Sequence, residues 1–453
     1  MPLILGTNSI KDTGYDVANS LRFNDGSSDY INRTPSGAGN RKTWTFSIWF
    51  KRSNISLAQK IFSVTGGGSN NFECYFNTND TLAFYHYSSN GGVTDSFLGT
   101  NQVFRDTSAW YHLVLAVDTT QATASNRVKM YVNGSQITSF STAIYFNQNY
   151  DTYINSTNEH RIGANLNNSQ YFDGYMCETV LVDGSQLGAD SFGEFDSATG
   201  IWKPIDVSGL TFGTNGFYLD FQNSGSLGAD VSGNSNNFTV NNLTSVDQST
   251  DTCTNNFATW NPLDKHASST LSEGNLKYAT SGTSQYEPVK CTIAFADGKW
   301  YSEHQINSLS TTACYIGIYG SSVSGQSQSE MDTLRFAYNV KSGEIIKNAG
   351  NIQTGNPTFT TNDILGIEVD LDNGTLKFYK NGTQVGTTVT DSDITNNEWV
   401  FGSQPRLATF TSNFGSPAIT ISSGNSDPDG YGNFEYSTGV GYALNTKNLA
   451  EYG

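Results

Sequence analysis

The chain has 453 residues and a formal net charge of −17, from 41 Asp and Glu against 24 Lys and Arg. Because nucleic-acid grooves and anionic membranes both attract clustered basic side chains, this charge argues against a nucleic-acid partner and against an anionic membrane surface. Aromatic residues make up 13% of the chain and charged residues only 14%, which favours all-β domains with polar loops. At this length we expect two such domains.

The first 20 residues precede any recognisable strand. They lack a basic region, and their apolar run is too short for a signal peptide or a membrane span, so we expect synthesis without secretion and no membrane insertion. Their Pro2-Leu3-Ile4-Leu5 start is too apolar to extend into water. We therefore interpret residues 1–20 as an attachment segment that docks on a neighbouring subunit.

A first β-domain is predicted over residues 21–185. In the segment RKTWTFSIWFKRS, apolar residues occupy every second position, at Trp44, Phe46, Ile48 and Phe50, as in a central strand. Further short strand candidates are separated by Gly, Asn and Ser loops: Phe72 to Phe76, Leu82 to Tyr87, Trp110 to Asp118, Val128 to Val132, His160 to Ile162 and Tyr175 to Val182. So many short strands without a helical pattern predict a sandwich or jelly roll.

Residues 186–284 are predicted to connect two domains. The first half contains Trp202 and Phe221 and is too apolar for a flexible linker, so we expect it to pack on the first sandwich. Residues 225–242, GSLGADVSGNSNNFTVNN, are rich in Gly, Asn and Ser, as linkers are. We expect this second part to join the domains.

A second β-domain is predicted over residues 285–415, followed by a C-terminal segment, residues 416–453. The clearest part of this second domain is LGIEVDLDNGTLKFYKNGTQVG. It has two Asn-Gly pairs, Asn373-Gly374 and Asn381-Gly382. Asn-Gly favours the type I′ turn, which needs positive φ at both central residues, so the stretch predicts a three-stranded meander. Asn133-Gly134 repeats this pattern in the first domain. The predicted fold class is all-β, with two β-sandwich (jelly-roll) domains joined by a partly ordered connector.

Five segments of the first domain resemble a laminin-G-like, concanavalin A-like lectin/glucanase domain. They are FNDGSSDYI, WTFSIWFKR, WYHLVLAVD, VKMYVNG and FDGYMCE, in that order between Phe23 and Glu178. In the last of them, Cys177 stands where the family often has an acidic residue. The second domain resembles a SPRY domain, through GKWYSE, YIGI and DILGIEVDLDNGTLKFYKNG. Glu368 stands where SPRY domains usually carry a small or aliphatic residue, so that position is expected to face solvent or to be locally adapted.

The order of these parts, with GADVSGNSNNFT and TNNFATWNPLD between the domains, is similar to structural proteins of marine tailed bacteriophages. This resemblance implies a virion surface protein, as a fibre, tail part or capsid appendage, located in the virion after synthesis in the host cytoplasm. The implied partners are other virion proteins and a host surface glycan, and a homo-oligomer is expected.

One group of carboxylates could suggest catalysis. Glu368, Asp370 and Asp372 alternate as in the catalytic strand of retaining glucanases, and in a strand they share one face. However, Asp372 opens a turn, where an acid/base is poorly held, and the group lies in the SPRY-like half. We therefore predict turn chemistry with solvated charges, and no enzyme.

Metal binding is suggested only by the laminin-G resemblance, since such domains often carry calcium at a sandwich rim. Calcium prefers several oxygen ligands from loops, and the rim candidates are Asp25, Asp29, Asp173 and Glu178. Acidic residues in turns also act simply as turn formers. The five histidines form no HxH or HExxH pair, and the five cysteines, Cys74, Cys177, Cys253, Cys291 and Cys314, include no CxxC. Zinc and a disulfide framework are therefore not indicated, and most cysteines are interpreted as small buried hydrophobic residues.

Sugar binding is the remaining chemistry that the composition permits. Tyrosine rings stack on pyranose faces, and Asn and Asp bind hydroxyl groups. The candidate carbohydrate-binding residues are Tyr85, Tyr87, Tyr145, Tyr150 and Tyr171. The alternative is that these tyrosines complete core edges and subunit contacts. The sequence thus favours a virion protein that binds host glycan or neighbouring subunits, with a capsid decoration protein or a glycan depolymerase as alternatives.

Overall fold

The computed structural model describes residues 10–67, 70–88, 93–282, 285–310 and 313–453. These residues divide into two compact units, Thr13–Thr254 and a second unit built from Asn255–Gly453 with residues 10–12. The expected connector, residues 186–284, is therefore divided between the two units. Strands make up 44% of the structure and helices 6%, so the all-β fold class is confirmed.

The first unit contains 18 strands within its described residues. In chain order they are β1 (Ser20–Phe23), β2 (Tyr30–Arg33), β3 (Thr43–Arg52), β4 (Gln59–Gly67), β5 (Asn70–Phe76), β6 (Thr81–Ser88), β7 (Val93–Val103), β8 (Tyr111–Asp118), β9 (Val128–Val132), β10 (Ser135–Gln136), β11 (Phe140–Ile144), β12 (His160–Ile162), β13 (Gly174–Asp183), β14 (Gly193–Phe195), β15 (Trp202–Pro204), β16 (Phe217–Leu219), β17 (Thr239–Asn241) and β18 (Gln248–Ser249). Short 3-10 turns lie at Asp25–Ser27, Ala124–Asn126, Ala189–Ser191 and Ser245–Asp247.

Two antiparallel sheets form the first sandwich. Sheet 1 has the order β10-β9-β8-β3-β13-β1-β18, with β16 also paired to β13, and sheet 2 has the order β11-β7-β6-β5-β4-β12-β2-β17. Trp44, Phe46, Ile48 and Phe50 of β3 point into the core between the sheets, and the rings of Phe46 and Phe62 stack 4.5 Å apart. The alternation read from the sequence therefore corresponds to the inward face of a central strand.

The opposite face of sheet 1 is also covered. Val114, Val180 and Val182 point outward from it and pack against residues that follow β13: Ala189, Phe192, Val207, Phe212 and Tyr218. The second part of the expected connector, residues 225–242, is not a linker. Its strand β17 pairs with β2 at the edge of sheet 2, and Asp230 accepts hydrogen bonds from the backbone N–H groups of Tyr218 and Asn236 at 2.9 and 2.7 Å.

Part of the expected attachment segment packs within the first unit. Residues 13–20 belong to the first unit, where Val17 is buried beside Trp49, and the Val17 N–H donates to Oγ1 of Thr254 at 3.0 Å. Residues 1–9 lie outside the described residues.

The second unit contains 15 strands and three short helices within its described residues. The strands are β19 (Trp260–Lys265), β20 (Thr270–Ser272), β21 (Lys277–Ala279), β22 (Val289–Cys291), β23 (Lys299–Leu309), β24 (Cys314–Gly320), β25 (Arg335–Asn339), β26 (Glu344–Lys347), β27 (Gly350–Gln353), β28 (Ile364–Asp370), β29 (Thr375–Lys380), β30 (Thr383–Thr390), β31 (Trp399–Pro405), β32 (Ala408–Asn413) and β33 (Tyr442–Ala443). The helices are α1 (Gln328–Met331), α2 (Ser392–Asn396) and α3 (Thr446–Tyr452).

These strands form a second sandwich. One sheet has the order β19-β22-β31-β24-β25-β26-β27 and the other the order β20-β21-β32-β23-β28-β29-β30, with β33 parallel to β23. The C-terminal segment packs on this sandwich through Glu303 of β23, whose carboxylate accepts the N–H groups of Glu435 and Tyr436 at 2.9 and 2.8 Å. None of the described helices has the length and apolar character needed to cross a membrane.

The Asn-Gly turns are not all alike. Asn381 and Gly382 have φ values of 50° and 77°, and Asn133 and Gly134 have 47° and 77°, as type I′ turns require. At the other predicted turn only Gly374 has a positive φ, and four residues separate β28 from β29. The meander forms as expected, but its first turn is not type I′.

Gly382 offers a direct test of the turn. A Cβ at Gly382 would lie 2.6 Å from Cδ1 of Tyr436, whereas Gly355 has the same φ of 77° and open space around it. Gly355→Ala should therefore cost only the backbone strain, about 1 kcal/mol, and Gly382→Ala clearly more, about 2 to 3 kcal/mol. Denaturant unfolding of both variants measures the difference. Equal costs would show that Tyr436 does not restrict this turn.

A second prediction concerns how fragments with different domain boundaries unfold. A fragment of residues 13–254 should unfold in one cooperative transition, because it keeps the layer that covers sheet 1. A fragment of residues 21–185 loses that layer and should aggregate or bind a hydrophobic dye. Cooperative thermal unfolding of the shorter fragment would contradict this domain boundary.

Candidate functional site

Two of the five candidate tyrosines lie together on the outer face of sheet 2. In β6, Leu82, Phe84 and His86 point into the core, so Tyr85 and Tyr87 point outward and are half-buried. Their rings are parallel within 10° and their centres are 6.3 Å apart. The i, i+2 spacing of a strand places both rings on one face.

Neighbouring strands extend this surface. Tyr85 lies opposite Phe97 of β7, and the two rings meet edge to face at 5.8 Å. On the other side, β5 contributes Tyr75 and Glu73, with Glu73 opposite Tyr85. We call Tyr75, Tyr85, Tyr87 and Phe97 the aromatic row.

A charged pair borders the aromatic row. Nζ of Lys60 lies 3.6 Å from the ring centre of Tyr75 and 2.7 Å from Oε2 of Glu73. The surface thus combines ring faces with a carboxylate and an ammonium group, the groups that contact the faces and the hydroxyls of a sugar ring.

The other candidate tyrosines do not join the row. Tyr150 stacks on Phe146 at 5.1 Å and lies 5.3 Å from His86, on the core side of β6. Tyr145 packs against the same core, and Tyr171 lies 6.3 Å from Tyr30. For Tyr145 and Tyr150 the alternative interpretation, completion of the core edge, describes their packing better than sugar binding does.

A cleft of about 530 Å³ opens on the other side of the first unit. It lies between the Asn133-Gly134 turn and the β14–β15 hairpin, and its lining includes Tyr131, Asp190, Glu194, Phe195 and Trp202. Phe195 is 53% exposed, and its ring meets Trp202 at 4.9 Å. The sequence does not predict this cleft because Asp190, Phe195 and Trp202 lie within the expected connector, although the apolar FGEF and IWKP segments of the hairpin are a usable signal.

The four calcium candidates do not form one ligand set. Asp29 accepts hydrogen bonds from the Asn24 N–H and the Ser27 hydroxyl at 2.9 and 2.7 Å, as a turn former does. Asp25 lies in the same turn, and Asp173 directly precedes β13. Over the described residues, no group of three or more His, Cys, Asp or Glu side chains is placed to hold a metal.

Glu178, the fourth candidate, has a different environment. It is buried in β13 with a positive φ of 47°, at an irregularity in the pairing with β3. Its Oε2 accepts the hydroxyls of Tyr218 and Tyr15 at 2.8 and 3.3 Å. Burial raises the pKa of Glu178 to about 7, although these hydrogen bonds favour the ionised form.

The carboxylates of β28 are paired rather than solvated, which corrects the expectation. Glu368 is only 3% exposed. Its Oε1 accepts a hydrogen bond from Nζ of Lys377 at 2.6 Å, and its Oε2 accepts one from the Tyr379 hydroxyl at 2.8 Å. Asp370 lies 3.2 Å from Nζ of Lys299. Strand β28 also lies between β23 and β29 and not at a sheet edge.

Comparison with known proteins supports both domain types. Residues 25–187 match the family model described as the concanavalin A-like lectin/glucanases superfamily, and residues 299–401 match the SPRY domain. The chain therefore contains a laminin-G-like domain and a SPRY domain.

Individual relatives match only parts of the chain. Ran-binding protein 10 of Danio rerio is 33% identical over 141 residues, which are 29% of this chain and 23% of that protein. The SPRY domain of human HERC1 superposes with a TM-score of 0.29 at 14% identity, covering 34% of this chain and 96% of that one. A candidate carbohydrate-binding protein of Bacteroides ovatus superposes with a TM-score of 0.35 at 15% identity, covering 50% and 59%.

The raised pKa of Glu178 predicts a pH effect on stability. Because the folded-state pKa of about 7 lies above the ordinary value of 4.5, the folded state holds a proton that the unfolded state releases between these pH values. The contribution of Glu178 is therefore fully present below pH 4.5 and is lost as the pH rises to 7, by about 3 kcal/mol.

Denaturant unfolding of the wild type and of Glu178→Gln, at several pH values from 4.5 to 7.5, measures this effect. Gln keeps an acceptor for the tyrosine hydroxyls without titrating. The difference in unfolding free energy between wild type and Glu178→Gln should therefore be small at low pH and grow toward pH 7. Glu194→Gln, at an exposed position, is the control and should show no such trend. A constant difference between wild type and Glu178→Gln would mean that Glu178 does not titrate in this range.

Proposed function

We propose that this chain is a non-catalytic binding protein of the virion surface of a tailed bacteriophage, and that its laminin-G-like domain binds a host glycan. The aromatic row carries the proposal. It offers stacked and edge-on rings, partly exposed on one sheet face, beside the Glu73 and Lys60 side chains. Together these groups suit the apolar faces and polar rims of sugar rings.

The virion assignment rests on the order of the sequence segments. The GADVSGNSNNFT segment has a defined role in the fold, because Asp230 organises it and Asn234 donates to the carbonyls of Gly213 and Gly216 at 2.7 and 2.9 Å. The segment is therefore a structural part of the laminin-G-like domain. Its presence supports the virion assignment more than the presence of a flexible linker would. We further propose that other virion proteins are partners of the chain and that it forms a homo-oligomer.

The non-catalytic assignment is supported by the pairing of the carboxylates. A retaining glycosidase needs one carboxyl group with a raised pKa and a free nucleophile about 5 to 5.5 Å away. Glu368 instead forms an ion pair with Lys377, and Asp370 forms one with Lys299. Although burial opposes it, hydrogen bonds from Asn373 and Lys299 hold the pKa of Asp370 below its usual value, which suits a structural role better than a general acid.

Binding of the purified full-length protein to host surface polysaccharides tests the proposal. Tyr85→Ala and Tyr87→Ala should each weaken binding about threefold to tenfold, and the double variant more, because each removes a ring contact worth about 0.5 to 1.5 kcal/mol. Phe195→Ala is the matched control, since it removes an exposed ring in the separate cleft and should leave the affinity unchanged.

The other outcomes separate the alternatives. Loss of binding in Phe195→Ala alone would move the glycan site to the cleft. Incorporation into capsids without any polysaccharide binding would favour a decoration protein. Release of reducing sugar that stops in Glu368→Gln would replace the binding proposal with a depolymerase.

A further inference from the structure

Two cysteines of the first unit lie side by side although 76 positions separate them in the sequence. Sγ of Cys177 is 3.7 Å from Sγ of Cys253, and both are free thiols. They belong to a small cluster with Val17 and Trp49, against which Tyr15, Trp110 and Trp202 pack.

We propose that Cys177 and Cys253 are a thiol–disulfide exchange site, which forms a disulfide within the first unit when it meets a dissolved low-molecular-weight disulfide such as oxidised glutathione. The contact of the two sulfur atoms carries this proposal, which is independent of the proposed glycan binding. Among the described residues, these two thiols form the single cysteine pair in sulfur-to-sulfur contact. Cys74, Cys291 and Cys314 are buried among apolar side chains.

The exposure of the two residues sets the order of the chemistry. Cys253 is half-buried, whereas Cys177 is fully buried. The Cys253 thiolate attacks one sulfur of oxidised glutathione and releases one molecule of glutathione thiolate. The Cys177 thiolate then attacks Sγ of Cys253 in this mixed disulfide, forms the Cys177–Cys253 bond and releases the second glutathione thiolate. The two protein thiols lose two electrons and two protons, and one glutathione disulfide becomes two thiols.

Exchange is expected to be slow at neutral pH. Burial raises the pKa of the Cys253 thiol well above its usual value, and only the thiolate attacks a disulfide. The rate should therefore increase as the pH rises from 7 to 9. The site is a slow cross-link, formed after folding, rather than a rapid redox catalyst.

The bond would fasten one edge of sheet 1. Cys177 lies in β13, and Cys253 follows β18, the edge strand that pairs with β1. The segment before and after Cys253 also holds the N-terminal residues, because the Ser20 hydroxyl donates to the Asp251 carbonyl at 2.6 Å and the Val17 N–H donates to Thr254. A cross-link here restricts the unfolded chain over 76 residues and blocks fraying of β1 and β18.

The test counts free thiols in the full-length protein. The reduced protein is incubated with excess oxidised glutathione at pH 8.5, alkylated in denaturant and weighed by mass spectrometry. Five alkylated cysteines before treatment should become three, with a Cys177–Cys253 linked peptide after digestion. The oxidised protein should show a melting temperature for the first unit higher by about 10 °C, and the rise should reverse on reduction.

Three variants complete the design. Cys177→Ser should stop at a mixed disulfide, with one glutathione on Cys253. Cys253→Ser should keep all four of its thiols, and Cys74→Ser should still form the bond. Five free thiols in the treated wild type, or a link between any other pair, would overturn the proposal. A Cys177–Cys253 link with no rise in melting temperature would overturn the fastening of the sheet edge.

Discussion

Strand β3 is buried on both faces, and the rest of the first unit follows from that burial. Nine of its ten residues are buried, including Lys51 and Arg52 at its end. A strand of this kind needs an apolar layer on each side and a partner for each buried charge, because an unpaired buried charge is strongly destabilising. Sheet 2 provides the first layer. The second layer includes Ser185 and Leu187, whose backbone groups form hydrogen bonds with Thr45, and Val17 and Cys177, which pack with Trp49.

The partners of the two charges come from distant parts of the sequence. Arg52 donates to Asp80 at 3.1 Å and to the Phe104 carbonyl at 2.7 Å, while Arg105 approaches the other oxygen of Asp80. Lys51 pairs with Asp251, which also accepts the indole N–H of Trp110. Asp251 lies at the end of the first unit, and this explains physically why the unit extends to residue 254 rather than ending at residue 185.

The elements with strong local signals could be predicted from the sequence, and those held by long-range polar contacts could not. The period of two in β3 and the Asn381-Gly382 turn are local properties, and the structure agrees with both. Residues 225–242 look like a linker because Asn, Gly and Ser favour solvent, yet the Asp230 carboxylate and the Asn234 amide bind backbone groups of Tyr218 and Gly216, 12 and 18 positions earlier in the chain. Glu368 shows the same limitation, because its partners Lys377 and Tyr379 lie on the next strand.

The candidate site likewise has residues whose positions the sequence predicts and residues whose positions it does not. Tyr85 and Tyr87 share a face because a strand places alternate side chains together, which the sequence alone indicates. Tyr145 and Tyr150 lie at the end of β11 and in the loop after it, where no periodicity predicts direction, and both turn toward the core. The layer over sheet 1 then decides where a ligand can bind. That layer closes the outer face of sheet 1, whereas Tyr85 and Tyr87 on the outer face of sheet 2 stay half-exposed, so sugar binding by a sheet face is expected at the aromatic row and not behind β3.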